Sequence, residues 1–375
     1  RSGILPPHAI VRALADLALP RTHFAEDVSV ADLVSSRLGR GATERLIEPL
    51  LGGIHAGTAD GLSLSEVAPQ LARVMLGAAV GEGEFNDPNS LNKIEWRPSR
   101  SVILAARKLR AAYPQSSGSK SPIFLAPRGG VHRITSTLTE ALRKRGTEIV
   151  TSAPVDSLQI TDSGFKIQLR NGVTLSADSV IVATPAHVSA RLLTSVSPEL
   201  SRELLQIRYA SVAVVTLLYP EGTIPREMNG TGFLSPRFER RLMTAATWLS
   251  SKWEHYLPDN GCLVRISVGR IGDERFANMS DADLSASVQS EFSEAMATLG
   301  IGIGQKIPQY SVTRWPLAIP QYEVGHRERI VKIRSLANLQ GLFLAGAYLD
   351  GVGIPACIEV GVAAAKQSSQ YICKR

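Results

Sequence analysis

Residues 341–366, GLFLAGAYLDGVGIPACIEVGVAAAK, hold the spacing with the most chemical content in the sequence. An apolar strand over 342–345 runs into a glycine-rich turn, and Pro355 begins an apolar helix. Proline suits the start of a helix, because the N–H it lacks would have no helical acceptor there. The remaining free N–H groups and the positive end of the helix dipole then point at whatever fills the turn. That end suits an anion, or a group that becomes anionic during reaction. Gly351 and Gly353 let a flat or charged ligand come close to the backbone. Gly351, Gly353 and Ala356 even meet the G-x-G-x-x-G/A spacing of dinucleotide folds. That fingerprint needs a following βα half and an acidic residue about 20 positions later. Too few residues follow Ala356 to supply them, so the stretch reads as an element that closes a fold. The plainer alternative is a terminal βα unit packed on the core.

Other residues with possible chemistry are scattered. His326 in PQYEVGH could handle a proton near neutral pH, and a histidine at a helix start is the plainer reading. His55 in GGIHAG stands in the same position. Arg128, beside Gly129-Gly130, could grip a pyrophosphate or a carboxylate, or be an ordinary loop arginine. Trp315 and Tyr322 could line a flat pocket or sit in a core. Cys262, Cys357 and Cys373 show no CxxC and no Cys/His metal spacing, so no metal is expected and a reducing compartment fits. No side-chain nucleophile is required by any of these patterns.

The elements that would position these residues fall into two kinds. Up to residue 112 the pattern is helical. A short helix lies near 10–17. Val30, Leu33, Val34 and Leu38 follow Ser29 as N-cap. Leu46, Ile47, Leu50 and Leu51 share a face, and Ser63 and Glu66 have capping-box spacing. A further helix covers 102–112, and a Ser/Gly/Lys/Pro loop over 113–122 closes the block. After it, PIFLAPRGGVHRITSTLTEALRKRGTEIVTS reads strand, Gly-Gly turn, helix and strand, with Ile134, Leu138 and Leu142 facing inward and the second strand at 148–151. Asn171-Gly172 turns a hairpin. SVIVATP is a buried strand stopped by Pro185. Strands follow over 212–219, 231–234, 243–248, 263–268 and 312–314, and helices over 281–299 and 323–335.

The 375 residues are 44% hydrophobic and 20% charged, the balance of a globular chain of two or three domains. The net charge of +7 is spread along the sequence with no Lys/Arg block, so an acidic small substrate suits it and nucleic acid is not expected. No apolar run reaches the roughly 18 to 20 residues of a spanning helix.

Four stretches together resemble the protoporphyrinogen/coproporphyrinogen III oxidases of heme synthesis, FAD-dependent members of the amine-oxidase-like superfamily. They are DVSVADLVSSRLGRGATERLIEPLLGGIHAG, APRGGVHRITSTLTEAL with the later VIVATPA, RWPLAIPQYEVGHRERI, and LFLAGAYLDGVGIPACIEVG. The last two are the most specific, and the form looks actinobacterial. The resemblance implies an α/β (α+β) fold. Its parts are a split FAD-binding domain of the p-hydroxybenzoate-hydroxylase/amine-oxidase type, an antiparallel-sheet substrate domain and an inserted helical subdomain. Along this sequence the parts map as a lead-in over 1–25, the helical, substrate- or membrane-associating block over 26–112, FAD-binding parts over 123–195 and 339–375, and the substrate domain over 196–338.

By position, the resemblance places Val155 at the adenine of FAD, Pro185 beneath the cofactor and Trp315 near the flavin. Gly346, Val352, Gly353 and Ile354 fall over the isoalloxazine ring, and Pro355 starts the helix aimed at its pyrimidine edge. Tyr322, His326 and Arg128 become candidates for substrate contact. It further implies a porphyrinogen substrate, molecular oxygen as acceptor, a cytoplasmic setting and an allowance for peripheral membrane contact. Ala356 departs from the family, where many members carry Asp. The family's opening strand, GxGxxG turn and helix also have no match here. The expectation is therefore an N-terminally truncated chain that holds FAD poorly alone. Another amine-oxidase-like flavoprotein is the competing enzyme class, and an inactive fragment with only a binding role is the competing non-enzyme.

Overall fold

The computed structural model describes residues 3–20, 27–76, 99–112, 125–225, 230–256, 261–304, 306 and 308–375. The polar loop expected over 83–100 lies outside them up to residue 98, and the loop expected over 113–122 lies wholly outside them. The chain divides into two compact units. The first holds Arg1–Phe124, Ala210–Ala318 and Tyr322–Gly325, and the second holds Leu125–Tyr209, Ile319–Gln321 and His326–Arg375. The strands among the described residues are β1 Val155–Thr161, β2 Gly164–Leu169, β3 Thr174–Ala177, β4 Val180–Val182, β5 Tyr209–Pro220, β6 Gly232–Leu234, β7 Met243–Trp248, β8 Gly261–Val268, β9 Gln309–Pro320 and β10 Leu342–Leu344.

In the first unit the helical block is set by its caps. Ser29 accepts from Asp32 N–H at 3.0 Å while its own N–H donates to the Asp32 carboxylate at 3.0 Å, a reciprocal box that starts the helix Val30–Leu38. Ser63 does the same one-sidedly for Leu64–Val67 by accepting from Glu66 N–H. These starts aim Val30, Leu33, Val34 and Leu64 into one apolar cluster. Leu51 joins it, whereas Leu50 turns outward, against the shared face expected from spacing. A buried ion pair ties the lead-in to this block: Arg37 Nε donates to Asp16 Oδ1 at 2.6 Å.

The same unit contains a sheet in the order β6-β7-β8-β5-β9. β5 alternates inward and outward residues, as a strand with one face on a core must. Ala213, Val215, Leu217 and Tyr219 meet Leu284, Val288, Phe292 and Met296, which recur every fourth residue along the helix Asp281–Thr298. Each of the large side chains contributes about 1.5–3 kcal/mol by leaving water.

In the second unit β1-β2-β3 form an antiparallel sheet. Gly172 takes φ +90° in its hairpin turn, and Asn171 Oδ1 accepts from Val173 N–H at 3.1 Å. β4 and β10, far apart in sequence, pair in parallel with Leu342 opposite Val180 and Leu344 opposite Val182. Their apolar face joins a core built from Leu193, Leu200, Leu204, Ile333 and Tyr348. A cavity of about 720 Å³ lies against β10, bordered by Leu342, Leu344, Val360, Ala364 and Tyr371.

Two sequence expectations fail here. The segment 148–151 forms no strand, and the strand expected ahead of the Gly-Gly turn begins at 122–124, outside the described residues. A strand needs a partner ladder, and Val150 is exposed. The helix His132–Lys144 forms as its periodicity predicts, but it buries no residue, and Ile134 and Leu138 face outward. Periodicity sets the stripe, and only a neighbouring element can bury it.

Candidate functional site

The carboxyl ends of a parallel strand pair are where backbone groups and helix N-termini converge on a ligand. In the second unit the β4–β10 ladder ends with Ala345 N–H donating to Val182 O at 3.0 Å. Beyond β4 the chain turns at Thr184-Pro185. Pro185, at φ −53°, is the N-cap of the helix Ala186–Leu193 and has no N–H to leave unpaired. The next N–H, of Ala186, donates to the Tyr209 phenol oxygen at 2.8 Å. Beyond β10 the chain enters the glycine-rich turn. Gly346 stands at φ +154° and Gly351 at φ +152°, positions where a side chain is strained. A Cβ at Gly351 would also stand 2.7 Å from the Ala356 Cβ.

The turn delivers the chain to a 20-residue helix, Ile354–Cys373. It starts one residue ahead of Pro355, with Gly353 as N-cap and no side-chain cap bond. Cys357 N–H closes the first helical bond onto Gly353 O. The N–H groups of Ile354 and Ala356 therefore lie outside the helical ladder, and Pro355 brings none. Gly353, Ile354 and Pro355 are exposed. Cys357 is partly covered, and burial pushes its thiol up from the ordinary value. A flat group with negative charge on one edge fits this arrangement. Glycine removes side-chain bulk where the ring would approach, and the uncapped helix end supplies donors and a positive dipole.

The predicted residues divide between the two units. Pro185 and Gly346 stand on neighbouring turns, because the parallel ladder sets the turns after β4 and β10 side by side, and Val352, Gly353, Ile354 and Pro355 follow Gly346 along its turn. A Cβ on Gly346 would be 3.6 Å from Thr184 O. Val155 opens β1 at a bulge in the β1–β2 pairing. Arg128 is exposed in the turn before Gly129 (φ +84°) and Gly130 (φ +100°). His326 begins the helix His326–Leu336 and is buried. These three lie on other elements of the second unit.

Trp315 and Tyr322 belong to the first unit. Trp315 is 46% exposed on β9, and Tyr322 is 3% exposed. The Tyr322 carbonyl accepts from Ser63 N–H at 2.8 Å, and the Asp27 carboxylate accepts from Gly325 N–H and the Ser63 hydroxyl. The PQYEVG run is thereby laced to the helical block. His55 closes the helix Glu48–His55, where burial pushes its pKa below the ordinary value.

Sequence reasoning missed three buried polar features near the two turns: the Thr184–Ser189 hydroxyl pair, the Tyr209 hydroxyl on Ala186 N–H, and the fully buried Tyr348. Tyr348 lies inside the singled-out motif, so an aromatic residue two places after Gly346 was a usable signal. Ser189 and Tyr209 carried none. Among the described residues no cluster of His, Cys, Asp and Glu could hold a metal ion, and no helix is long and apolar enough to cross a membrane.

Comparison with known proteins places the chain in a family. Residues 8–367 match the flavin containing amine oxidoreductase family. The chain is 34% identical over 379 aligned residues to the coproporphyrinogen III oxidase of Bacillus subtilis (strain 168), an alignment that covers 99% of this chain and 73% of the relative. It is 32% identical to the coproporphyrinogen III oxidase of Mycobacterium tuberculosis (strain ATCC 25618 / H37Rv), covering 95% of this chain and 70% of the relative. A crystal structure from Exiguobacterium sp. 255-15, assigned as a protoporphyrinogen oxidase, superposes with a TM-score of 0.77 at 26% identity, over 99% of this chain and 73% of that one.

Proposed function

The chain belongs to the flavin containing amine oxidoreductase family, and on that premise we propose that it uses FAD to oxidise a porphyrinogen in heme synthesis, coproporphyrinogen III to coproporphyrin III first of all. The agreement with the Bacillus enzyme along nearly the whole chain carries this reading. When bound, the flavin supplies hydride acceptance from carbon, with molecular oxygen as the final acceptor and hydrogen peroxide as the by-product. Six electrons and six protons leave the porphyrinogen, in three two-electron steps.

The protein's part is to place and polarise. The N–H groups of Ile354 and Ala356, with the dipole of the helix behind them, would hold negative charge on the bound ring. Gly346, Val352 and Gly353 would form the turn against the ring, Pro185 would support it from the neighbouring turn, and Val155 would offer backbone to the adenine. In the first unit, Trp315 is the residue assigned to the flavin and Tyr322 to the substrate. Arg128, exposed and forked, suits a substrate carboxylate. His326 is the proton-handling candidate, and its burial asks for a local opening or a relay. The setting proposed is the cytoplasm, with peripheral contact at the membrane's inner face.

The test is a porphyrin fluorescence assay with coproporphyrinogen III, protoporphyrinogen IX and an aliphatic amine in parallel, with peroxide measured alongside. Coproporphyrin formation coupled to peroxide is expected. Oxidation of the amine with no turnover of either porphyrinogen would overturn the reading. Protoporphyrinogen IX is the second reading, favoured by the Exiguobacterium structure, and a higher kcat/KM on that substrate would select it. Vesicle co-sedimentation checks the membrane contact.

A further inference from the structure

The lead-in of the first unit carries a helix whose two faces are reversed. The helix Pro7–Leu14 runs on into a 3₁₀ turn, Ala15–Leu17. A surface helix ordinarily buries its apolar stripe and shows its polar side to water. Here Ile10, Val11, Leu14 and Leu17 share the outward face and are all exposed, Val11 to 69% and Leu14 to 55%. Ile4, just ahead of the helix, is exposed as well. The inward face is small and polar, with Ala9 and Asp16 as its buried residues. Asp16 accepts from Arg37, from the Ser101 hydroxyl and from Ile103 N–H. Arg12 lies along the rim and donates to Arg37 O and Ser36 O, both at 2.9 Å. Two glycines let the helix come this close. A Cβ on Gly41 would stand 3.1 Å from the Ala9 Cβ, and one on Gly39 2.7 Å from the Arg12 Cγ.

These contacts fix which side faces out, so the apolar stripe is a built surface. Its size argues against a second copy of the chain as its cover. The helix and turn present a strip about 18 Å long and about 10 Å across, far below the roughly 800 Å² that each partner buries in a standard protein interface. Its charge argues for lipid. Residues 1–25 contain Arg1, Arg12 and Arg21 against one acid, Asp16, and Arg37 already neutralises that acid. A short apolar strip on a net-positive segment suits the headgroup layer of an anionic bilayer, where the side chains sink only as far as the acyl boundary. We propose that the helix Pro7–Leu14 with its following turn is the membrane-contacting element, seated on an anionic lipid surface through Ile10, Val11, Leu14 and Leu17. The inference rests on the peripheral contact proposed above, and it moves that contact from the 26–112 block to the lead-in.

The experiment compares the parent 375-residue chain with Val11→Gln/Leu14→Gln, which leaves Ala9, Arg12 and Asp16 in place. Co-sedimentation is measured with vesicles of equal parts phosphatidylcholine and phosphatidylglycerol, and with phosphatidylcholine alone. The parent should bind the phosphatidylglycerol vesicles, and raised salt should weaken that binding about tenfold. Val11→Gln/Leu14→Gln should lose about tenfold in partitioning, with the urea midpoint unchanged. Leu50→Gln/Ile54→Gln, which removes exposed apolar side chains elsewhere in the same unit, should bind as the parent does. Val11→Trp keeps the stripe apolar and should add a blue-shifted emission when vesicles are present. Emission that does not shift overturns the proposal. Binding that Val11→Gln/Leu14→Gln leaves unchanged overturns it too, and leaves the peripheral contact itself standing. A parent that binds neither vesicle overturns both. A lipid-free parent dimer that Val11→Gln/Leu14→Gln turns into a monomer in sedimentation equilibrium gives the face to a second copy, and so also overturns it. The porphyrin fluorescence assay, run without lipid, reads the catalytic proposal separately.

Discussion

Asp16→Asn tests the buried ion pair that ties the lead-in to the helical block. Asp16 is 0% exposed and Arg37 2%. Asp16 Oδ1 accepts from Arg37 Nε, and Oδ2 accepts from Ile103 N–H at 2.9 Å and from the Ser101 hydroxyl. Asparagine must turn its NH₂ toward one of these donor sets. One buried N–H then faces another donor, which costs about 1–3 kcal/mol. Arg37 also loses its counter-charge, although it keeps carbonyl acceptors on Asp16, Pro20 and Arg100. Together these place the loss at about 3–5 kcal/mol, the range for removing one partner of a buried pair.

The pH dependence has a defined sign. Burial pushes the Asp16 carboxyl up, while bonds from Ile103 N–H, Ser101 and Arg37 outweigh it and leave it below the ordinary value. A depressed carboxyl contributes stability above its unfolded pKa of about 3.9 and loses it as pH falls through the folded value. The gap between parent and Asp16→Asn should therefore be full at neutral pH and shrink below about pH 4. Urea denaturation followed by tryptophan fluorescence measures it, since all 4 tryptophans fall in the first unit with Asp16. Asp16→Leu/Arg37→Met should recover much of the loss, because an apolar pair has no buried charge to satisfy. A gap under about 1 kcal/mol at pH 7, or one that is constant from pH 7 to 3, would refute the reasoning.

Gly351→Ala forces a side chain into φ +152° and against Ala356, a strain of about 1–3 kcal/mol. It should weaken FAD about tenfold or more in a quenching titration, with little change in the first unit's unfolding. Ser29→Ala removes the hydroxyl half of the capping box, leaving the backbone N–H of residue 29 on the Asp32 carboxylate, and should cost about 1 kcal/mol by urea denaturation. Glu48 is pushed above the ordinary carboxyl value by burial, against the bond from Ala59 N–H. A raised carboxyl gives stability that is full below its unfolded pKa and lost as pH rises through the folded one. Glu48→Gln keeps an acceptor for Ala59, so its stability relative to the parent should improve between about pH 4 and pH 7.

The sequence by itself determined every feature with a local cause. The Ser29 and Ser63 caps, the Asn171-Gly172 hairpin, the helix Val102–Ala112 and the β5 alternation all follow from contacts within a few residues, and all are present. The glycine-rich turn and its helix were legible for the same reason, since only small residues tolerate that backbone and proline marks that start. Tertiary structure alone decided what depends on distant neighbours. The parallel pairing of Val180–Val182 with Leu342–Leu344 brings Pro185 beside Gly346, and no local pattern encodes a partner some 160 positions away. The Asp16–Arg37 pair arises in the same way. The outward face of His132–Lys144 and the missing strand at 148–151 mark the same limit from the other side. Periodicity says which residues share a face, and only packing says whether anything covers it.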